Sequence, residues 1–573
     1  MSRFAYNNQS HTTAANAASF SSDTKLDARA RIVIIIACAL AVLFAIQLFR
    51  LQVIDADGNA ERGQAARDSS ETLLAHRGTI YDRNGNVLAT SVEVKSVYCD
   101  PTLISDLQEE SQDLASVLGN SVEYYSDILT TPDSRYVCIA RKISVEDADK
   151  LIELDLDGVY YEDELERVYP YGEVGGQIIG CLNSNGEGYT GLEAYYDDIL
   201  KGTNGVKRAQ GGVKGASIPG TVYEQTDPVD GQDIMVSLDI EMQAYLEEQI
   251  KASAEKLDAD NSSAVLMDAG TGEIYAAASL PLFNPSDRTT VEEGATDLKC
   301  ATQAFEPGSV FKTVSAMALL ENNAMGTEDE IECPAEIEAD GYTVTDAHER
   351  SACTYSLRDI MAYSSNVGIA LSIEDLGFSL FYEEINKFLL TQATGVDYPN
   401  ESSGYLLDRD SWSHIQGYNI SFGQGVMVTP LQMARFYGIL ANDGVAVTPH
   451  FLIAMPQTGE YVNYDTQTIT TNTQALDSAV SMLSSVVEYG TATTAAIDGY
   501  TVAGKTSTAE VASDDGGYKE GVYNLAFCGF LPDSTSKLVC FVTTGETPYQ
   551  TNVCEPFKAI MSYAIERYKI SPK

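Results

Sequence analysis

Histidine is scarce in this chain. Five occur in 573 residues, at His11, His76, His348, His414 and His450. Chemistry that leans on an imidazole base therefore has few places to sit. Positive charge is short as well. Lys and Arg total 36 against 83 Asp and Glu, a formal net charge of −47. Such a surface repels phosphate backbones, which disfavours nucleic-acid binding. The acidity reads as a solvated surface, because no spaced ligand set of the EF-hand kind accompanies it. The ten cysteines include no C-x-x-C pair, which argues against a zinc ribbon or a thioredoxin-like motif. There is one tryptophan, Trp412, which reads as core or cleft wall. No internal repeat and no long low-complexity run is found, and only one apolar run is long enough to cross a bilayer.

What remains is a globular composition, 44% hydrophobic and 21% charged, over a length that implies two or three domains. The apolar run extends from Ile32 to Phe49 without a single charge. Lys25, Arg29 and Arg31 precede it and Arg50 follows. A cleaved signal peptide has a shorter apolar region and a small-x-small site, which is missing here. The run reads as an uncleaved signal anchor. Residues 1–31 are then a cytoplasmic tail and the bulk of the chain is exported.

Beyond the anchor, H-R-G-T-I-Y-D-R-N-G-N-V-L-A (76–89) carries an Asn84-Gly85 turn signal between two strand-like runs. Arg77, Asp82 and Arg83 are candidates for charge pairs joining two subdomains. Residues 50–228 otherwise mix acidic helical pieces, short strands and turns, and read as a non-catalytic platform. A new unit opens at 229. A strand within 231–239 leads into an amphipathic helix, Ile240 to about Lys256. Residues 264–279 then form a hairpin about an Ala-Gly-Thr-Gly turn. A strand pair near 523–530 and 537–544 and a last helix near 555–568 close the chain. Cys333 and Cys353 fall in one subregion; a disulfide and two buried free thiols are both compatible with that.

The chemistry centres on F-E-P-G-S-V-F-K-T (305–313). Pro307-Gly308 is a break and a helical run follows, which places Ser309 at a helix start. Lys312 comes one helical turn later, on the same face. The free N–H groups and dipole there favour a developing alkoxide, and a buried lysine with a lowered pKa can accept a proton. This activates a serine without histidine; even His348, the nearest along the chain, is no local neighbour of Ser309. Alone, S-x-x-K is weak, since an N-capping serine explains it equally well. Two further motifs follow in order. S-S-N stands at 364–366, after the helical L-R-D-I-M-A-Y, and K-T-S-T stands at 505–508 on a strand. The gaps from 309 to 364 and from 364 to 505 suit a large catalytic domain.

The ordered set S-x-x-K, S-x-N, K-T-G belongs to penicillin-binding proteins and serine β-lactamases. With R-G-T-I-Y-D-R-N-G, S-F-G-Q-G-V-M-V-T-P-L-Q (421–432), E-Y-G-T-A (488–492) and A-F-C-G-F-L-P (526–532), the chain resembles class B penicillin-binding proteins from the anchor to the C-terminus, nearest the division or sporulation transpeptidases. The resemblance implies an α/β (α+β) fold: a single N-terminal transmembrane helix (32–49), an elongated pedestal or dimerisation-type domain (50–228), and a transpeptidase domain (229–573) with an antiparallel sheet flanked by helices.

The same resemblance implies a peptidoglycan D,D-transpeptidase. Ser309 would attack a D-Ala-D-Ala stem peptide, with Lys312 as general base and Ser364 relaying a proton. Asn366 would orient Lys312 and hold the substrate backbone, and Lys505 would add positive charge beside Ser364. Thr506 and Thr508 would hold the donor carboxylate, with Ser507 between them in the substrate-binding strand. The backbone N–H groups of Ser309 and Thr508 would form the oxyanion hole. Ser507 stands where the family has Gly, and altered affinity for donor or β-lactam is expected from it. Neither metal nor cofactor is implied. The expected partners are D-Ala-D-Ala donor and amine acceptor stems, β-lactam antibiotics, the membrane, a polytopic membrane glycosyltransferase and division-complex proteins. A β-lactamase would need neither pedestal nor anchor. A non-catalytic scaffold or sensor would not keep all five catalytic positions. A glycosyltransferase domain would show E-D-x-x-F-x-x-H, absent from the stretch between the anchor and the transpeptidase unit.

Overall fold

The computed structural model describes residues 28–51, 68–210, 221–513 and 517–573. The expected cytoplasmic tail lies outside the described residues as far as residue 27. The chain divides into two compact units, one of residues 1–72 and 206–226 and the other of 73–205 and 227–573.

In the first unit a helix, Ala28–Phe49, takes up the uncharged run. Its side chains from Ile32 to Phe49 are exposed along the whole length, as a helix apolar on every face is when no protein core receives it. Among the described residues it is the one helix long and apolar enough to cross a membrane. A three-stranded sheet runs in the order Asp68–Leu73, Gly205–Gln210, Glu224–Thr226.

The second unit is built on two large sheets, with four two-stranded ones beside them among the described residues. The five-stranded one is antiparallel throughout, in the order Ile274–Ser279, Asn261–Asp268, Leu538–Thr547, Tyr518–Phe530, Ala503–Ala512. Its inner strands read as continuous apolar runs, not alternating ones, because both faces are covered. Helices Ile240–Lys256, Cys554–Tyr568 and Pro430–Ala441 pack on it. The expected 264–279 hairpin is its N-terminal pair. Asp268 makes the turn by accepting the Gly270 and Thr271 N–H groups at 2.7 and 3.3 Å. The expected helix at 240–256 forms with Asp239 as its N-cap.

The second sheet has seven strands. Glu460–Tyr461, Leu452–Met455, Ile234–Val236, Ile80–Tyr81, Val87–Cys99 and Val137–Ser144 follow in order, and Val159–Val168 also pairs with Val87–Cys99. Ile80–Tyr81 runs parallel to Ile234–Val236, so this sheet crosses the expected boundary at 228/229. The Asn84-Gly85 turn forms as expected. The Asp82 carboxylate accepts both the Asn84 and Asn86 N–H groups at 2.8 Å.

Two of the three candidate charges near this turn are paired. Arg77 meets Glu193 and Asp197 at 2.6 Å each. Arg83 meets Glu273 at 3.2 Å and lies over the Tyr275 ring. Asp82 forms no ion pair among the described residues; its oxygens are taken up by the turn it closes.

Candidate active site

The nucleophile candidate sits on a tighter helix than its sequence implies. Gly308–Phe311 is a 3-10 turn that runs into the α-helix Lys312–Glu321. Gly308 has φ +55° and donates its N–H to the Gly423 carbonyl at 2.9 Å. A Cβ on Gly308 would strike Ser507 Oγ, and one on Gly423, itself at φ +86°, would strike the Gly308 carbonyl. Both glycines are needed because two backbones and a strand meet behind Ser309.

Lys312 is fully buried. Its Nζ lies 3.0 Å from Ser309 Oγ, 3.1 Å from Ser364 Oγ, 2.7 Å from the Ser364 carbonyl and 2.7 Å from Asn366 Oδ1. Among the described residues it has no carboxylate at salt-bridge distance. Burial, then the like charge of Lys505, push its pKa well below the usual lysine value, while Asp346 pulls the other way. Of the four oxygens, the Ser364 carbonyl and Asn366 Oδ1 can only accept, and they match the two hydrogens of a neutral amine, whose lone pair is left to take a proton from a serine hydroxyl.

Ser364 and Asn366 reach Lys312 from the junction of two helices. Ser356 and Asp359 form a capping box that starts Leu357–Tyr363. Ser364 ends that helix in the left-handed region, φ 62° and ψ 40°. This conformation costs a non-glycine residue about 1 kcal/mol. It lets one residue present both its carbonyl and its hydroxyl to the lysine. Ser365 then caps Asn366–Leu376 by accepting the Gly368 N–H at 3.0 Å.

The strand Ala503–Ala512 brings the third motif, and alternate residues on it face opposite sides. Thr506 and Thr508 line the same cleft as Ser309, Ser364 and Asn366, a space of about 700 Å³. Thr506 Oγ1 meets Thr491 Oγ1 at 2.7 Å, and Thr508 Oγ1 donates to the Thr551 carbonyl at 2.9 Å. Lys505 is fully buried and donates to the Thr506 carbonyl at 3.2 Å. Burial pushes its pKa down to about 7, against a weaker pull from Cys554. Ser507 does not reach the cleft with its side chain. Its hydroxyl is buried against Gly308 and has no hydrogen-bond partner among the described residues.

The sequence reading passed over several cleft residues. Tyr355, Tyr363 and Tyr489 line one side, with ring centroids 5.7 and 6.4 Å apart in succession. His348 lines the cleft too, as do Asp346 and Arg350. The i,i+4 spacing of an opposite-charge pair was the one available signal for the last two. Trp412 is core: its ring packs among Phe378, Phe381 and Tyr382, and its N–H donates to the Leu407 carbonyl. All the cysteines are thiols, and Cys333 and Cys353 stand directly opposite each other on paired antiparallel strands, Glu330–Cys333 and Cys353–Ser356.

Comparison with known proteins matches this geometry to a family. The penicillin binding protein transpeptidase domain matches residues 262–562, and the penicillin-binding protein dimerisation domain matches residues 72–236. Stage V sporulation protein D of Bacillus subtilis is 31% identical over 475 residues, covering 81% of this chain and 73% of that protein. Peptidoglycan D,D-transpeptidase FtsI of Escherichia coli K12 is 29% identical over 538 residues, covering 91% and 89%. The crystal structure of penicillin binding protein 3 from Mycobacterium tuberculosis, complexed with aztreonam, superposes with a TM-score of 0.68 at 26% identity, covering 88% of this chain and 98% of that one. The chain belongs to the penicillin-binding protein transpeptidase family, of the class B type found in division and sporulation enzymes.

Proposed function

We propose that the chain is a peptidoglycan D,D-transpeptidase working through an acyl-serine at Ser309. The observation that carries this is the buried Lys312 amine, without a carboxylate partner among the described residues and 3.0 Å from Ser309 Oγ. In the reaction, Lys312 takes the Ser309 proton as Oγ attacks the carbonyl of the penultimate D-Ala. An ester bond forms and the amide to the last D-Ala breaks. The proton passes through Ser364 to the leaving amine. An acceptor amine then attacks the ester, its proton returns by the same route, and Ser309 is released. Asn366 holds Lys312 in place. Lys505 adds positive charge beside Ser364, Thr506 and Thr508 receive the donor's terminal carboxylate, and the N–H groups of Ser309 and Thr508 take the oxyanion, a contribution of about 3 kcal/mol per donor. Covalent capture of β-lactams follows from the same attack, and the relative bound to aztreonam supports it.

In this reading residues 50–228 are the pedestal and 229–573 the transpeptidase domain, in keeping with the family matches at 72–236 and 262–562. The helix Ala28–Phe49 anchors the chain once in the membrane, N-terminus inside, with the cleft on the wall side. Glycan polymerisation then falls to a polytopic membrane glycosyltransferase acting with division-complex proteins. The test is labelling of the full chain in detergent with a fluorescent penicillin, beside Ser309→Ala. A stable adduct on wild type alone is expected. Rapid drug turnover would indicate a β-lactamase, and no adduct on folded protein would remove the acyl-serine reading.

A further inference from the structure

Asp346 heads the segment between strands Tyr342–Thr345 and Cys353–Ser356, and none of the three motifs includes it. Its Oδ1 accepts the Val367 N–H at 3.0 Å. The Ser365 hydroxyl donates to the same carboxylate, at 3.1 Å from Oδ1 and 2.9 Å from Oδ2. One carboxylate therefore holds the middle serine of S-S-N and a free N–H at the start of the helix behind it. The preceding residue adds a second restraint. The Thr345 carbonyl accepts Asn366 Nδ2 at 3.0 Å, which turns the amide so that Oδ1 faces Lys312.

Arg350 locks Asp346 from the far side. Its Nε meets Oδ2 at 2.6 Å, and both side chains are largely buried, 15% and 10% exposed. The guanidinium is itself fixed: Nη1 donates to the Cys333 carbonyl at 3.0 Å, and the group lies over the Tyr355 ring. Burial works to raise the Asp346 pKa, but the bonds from Val367, Arg350 and Ser365 prevail and hold its carboxyl below the usual range. The anion is thus a fixed part of the site.

We propose that Asp346, locked by Arg350, is a positioning residue for acyl transfer, fixing the S-S-N turn so that Ser364 and Asn366 converge on the Lys312 amine. The inference rests on the acyl-serine reading given above. It also separates two contributions of Asp346, hydrogen bonds to the turn and a negative charge behind the lysine. The charged and titratable groups facing Lys312 are Lys505 from the strand Ala503–Ala512 and Asp346 from the loop. Arg350 pairs with Asp346, His348 and Glu349 line the cleft on the same segment, and Cys554 faces Lys505. Of these, Asp346 is the group that raises the proton affinity of Lys312. Taking its charge away lowers that affinity, so the neutral, proton-accepting lysine persists to lower pH.

The test measures second-order acylation of the full chain in detergent by a fluorescent penicillin, from acid to alkaline pH, with thermal unfolding alongside. Wild type, Ser309→Ala, Asp346→Asn and Asp346→Ala are compared. Asn keeps an acceptor for Val367 and Ser365 without the charge; Ala keeps neither. Asp346→Ala is expected to acylate roughly tenfold or more slowly than wild type at every pH. Asp346→Asn is expected to lose less, and the acid limb of its profile is expected to move down by about half a unit or more. The inference is overturned if both variants acylate as wild type does. It is equally overturned if rates fall only in step with the melting temperature while the acid limb stays in place. A wild type that takes no label overturns the acyl-serine reading itself, an outcome distinct from failure of the Asp346 variants against a labelled wild type.

Discussion

Near the first strands of the second unit, Arg77 and Arg167 close on Glu193 from two sides. Arg77 Nε lies 2.6 Å from one carboxylate oxygen and Arg167 Nε 2.7 Å from the other, while Asp197 takes a second nitrogen of Arg77. In the cleft, Lys312 and Lys505 are buried as deeply, yet among the described residues neither has a carboxylate at salt-bridge distance. Burial is the same in both places and the consequences differ. Where opposite charges are matched, burial fixes structure, and removing one member exposes its partners to the desolvation penalty. Where a charge is buried without an opposite partner, burial itself lowers the proton affinity of a lysine. Glu247 repeats the second case with the sign reversed. It is a buried acid among Gln243 and the Gly175 N–H, with no cation on it among the described residues, and burial pushes its pKa up to about 7.

The comparison can be broken most severely at Lys312. Lys312→Met should lower penicillin acylation on the order of a thousandfold or more with little change in folding, read by label incorporation and circular dichroism. Glu193→Ala attacks the matched cluster and should do the reverse. A loss of about 3–5 kcal/mol in denaturant unfolding is expected, because Arg167 is left buried without its carboxylate and Arg77 keeps only Asp197. Glu247→Gln sharpens the rule by pH. The folded pKa near 7 lies above the unfolded value of 4.5, so protonation stabilises the fold below pH 4.5 and that contribution is lost as pH rises through 7. Wild type should then unfold more easily than Glu247→Gln at pH 8, by about 3 kcal/mol, with the gap closing toward pH 4.5. The smallest effect concerns a pair that carries no charge. Cys333 and Cys353, opposite each other across two strands, should join under mild oxidation before the other cysteines do, seen as the loss of two hydrogens' mass in their joined peptides.

Much of this was legible from residues alone. The uncharged run, the Asn84-Gly85 turn, the helix from Ile240 and the hairpin at 264–279 each carry a local signal of period or turn chemistry, and each forms where that signal places it. The motif residues were legible as a set because their order is unusual. Their directions were not. A strand's alternation says that Lys505 and Ser507 face one way and Thr506 and Thr508 the other, but not which way the cleft lies; packing against Gly308 decides that. The left-handed turn at Ser364 has no local cue, since glycine or asparagine would be the ordinary choice there. Asp346 was missed because its partners, Ser365 and Val367, come only after another strand and a whole helix, and a fold has to bring them back.

The pairing of early strands with late ones sets a clock on the molecule. Ile80–Tyr81 finds its parallel partner only at Ile234–Val236, across the whole of the intervening platform, and the strand beyond that one begins at Leu452. Asn261–Asp268 waits longer still, for Leu538–Thr547 near the end of the chain. At synthesis rates of about 5–20 residues per second, the sheet that backs Ser309 stands open-edged for roughly 15–60 s before its last strands arrive. Through that interval the half-made protein has an unpaired, apolar strand to shield.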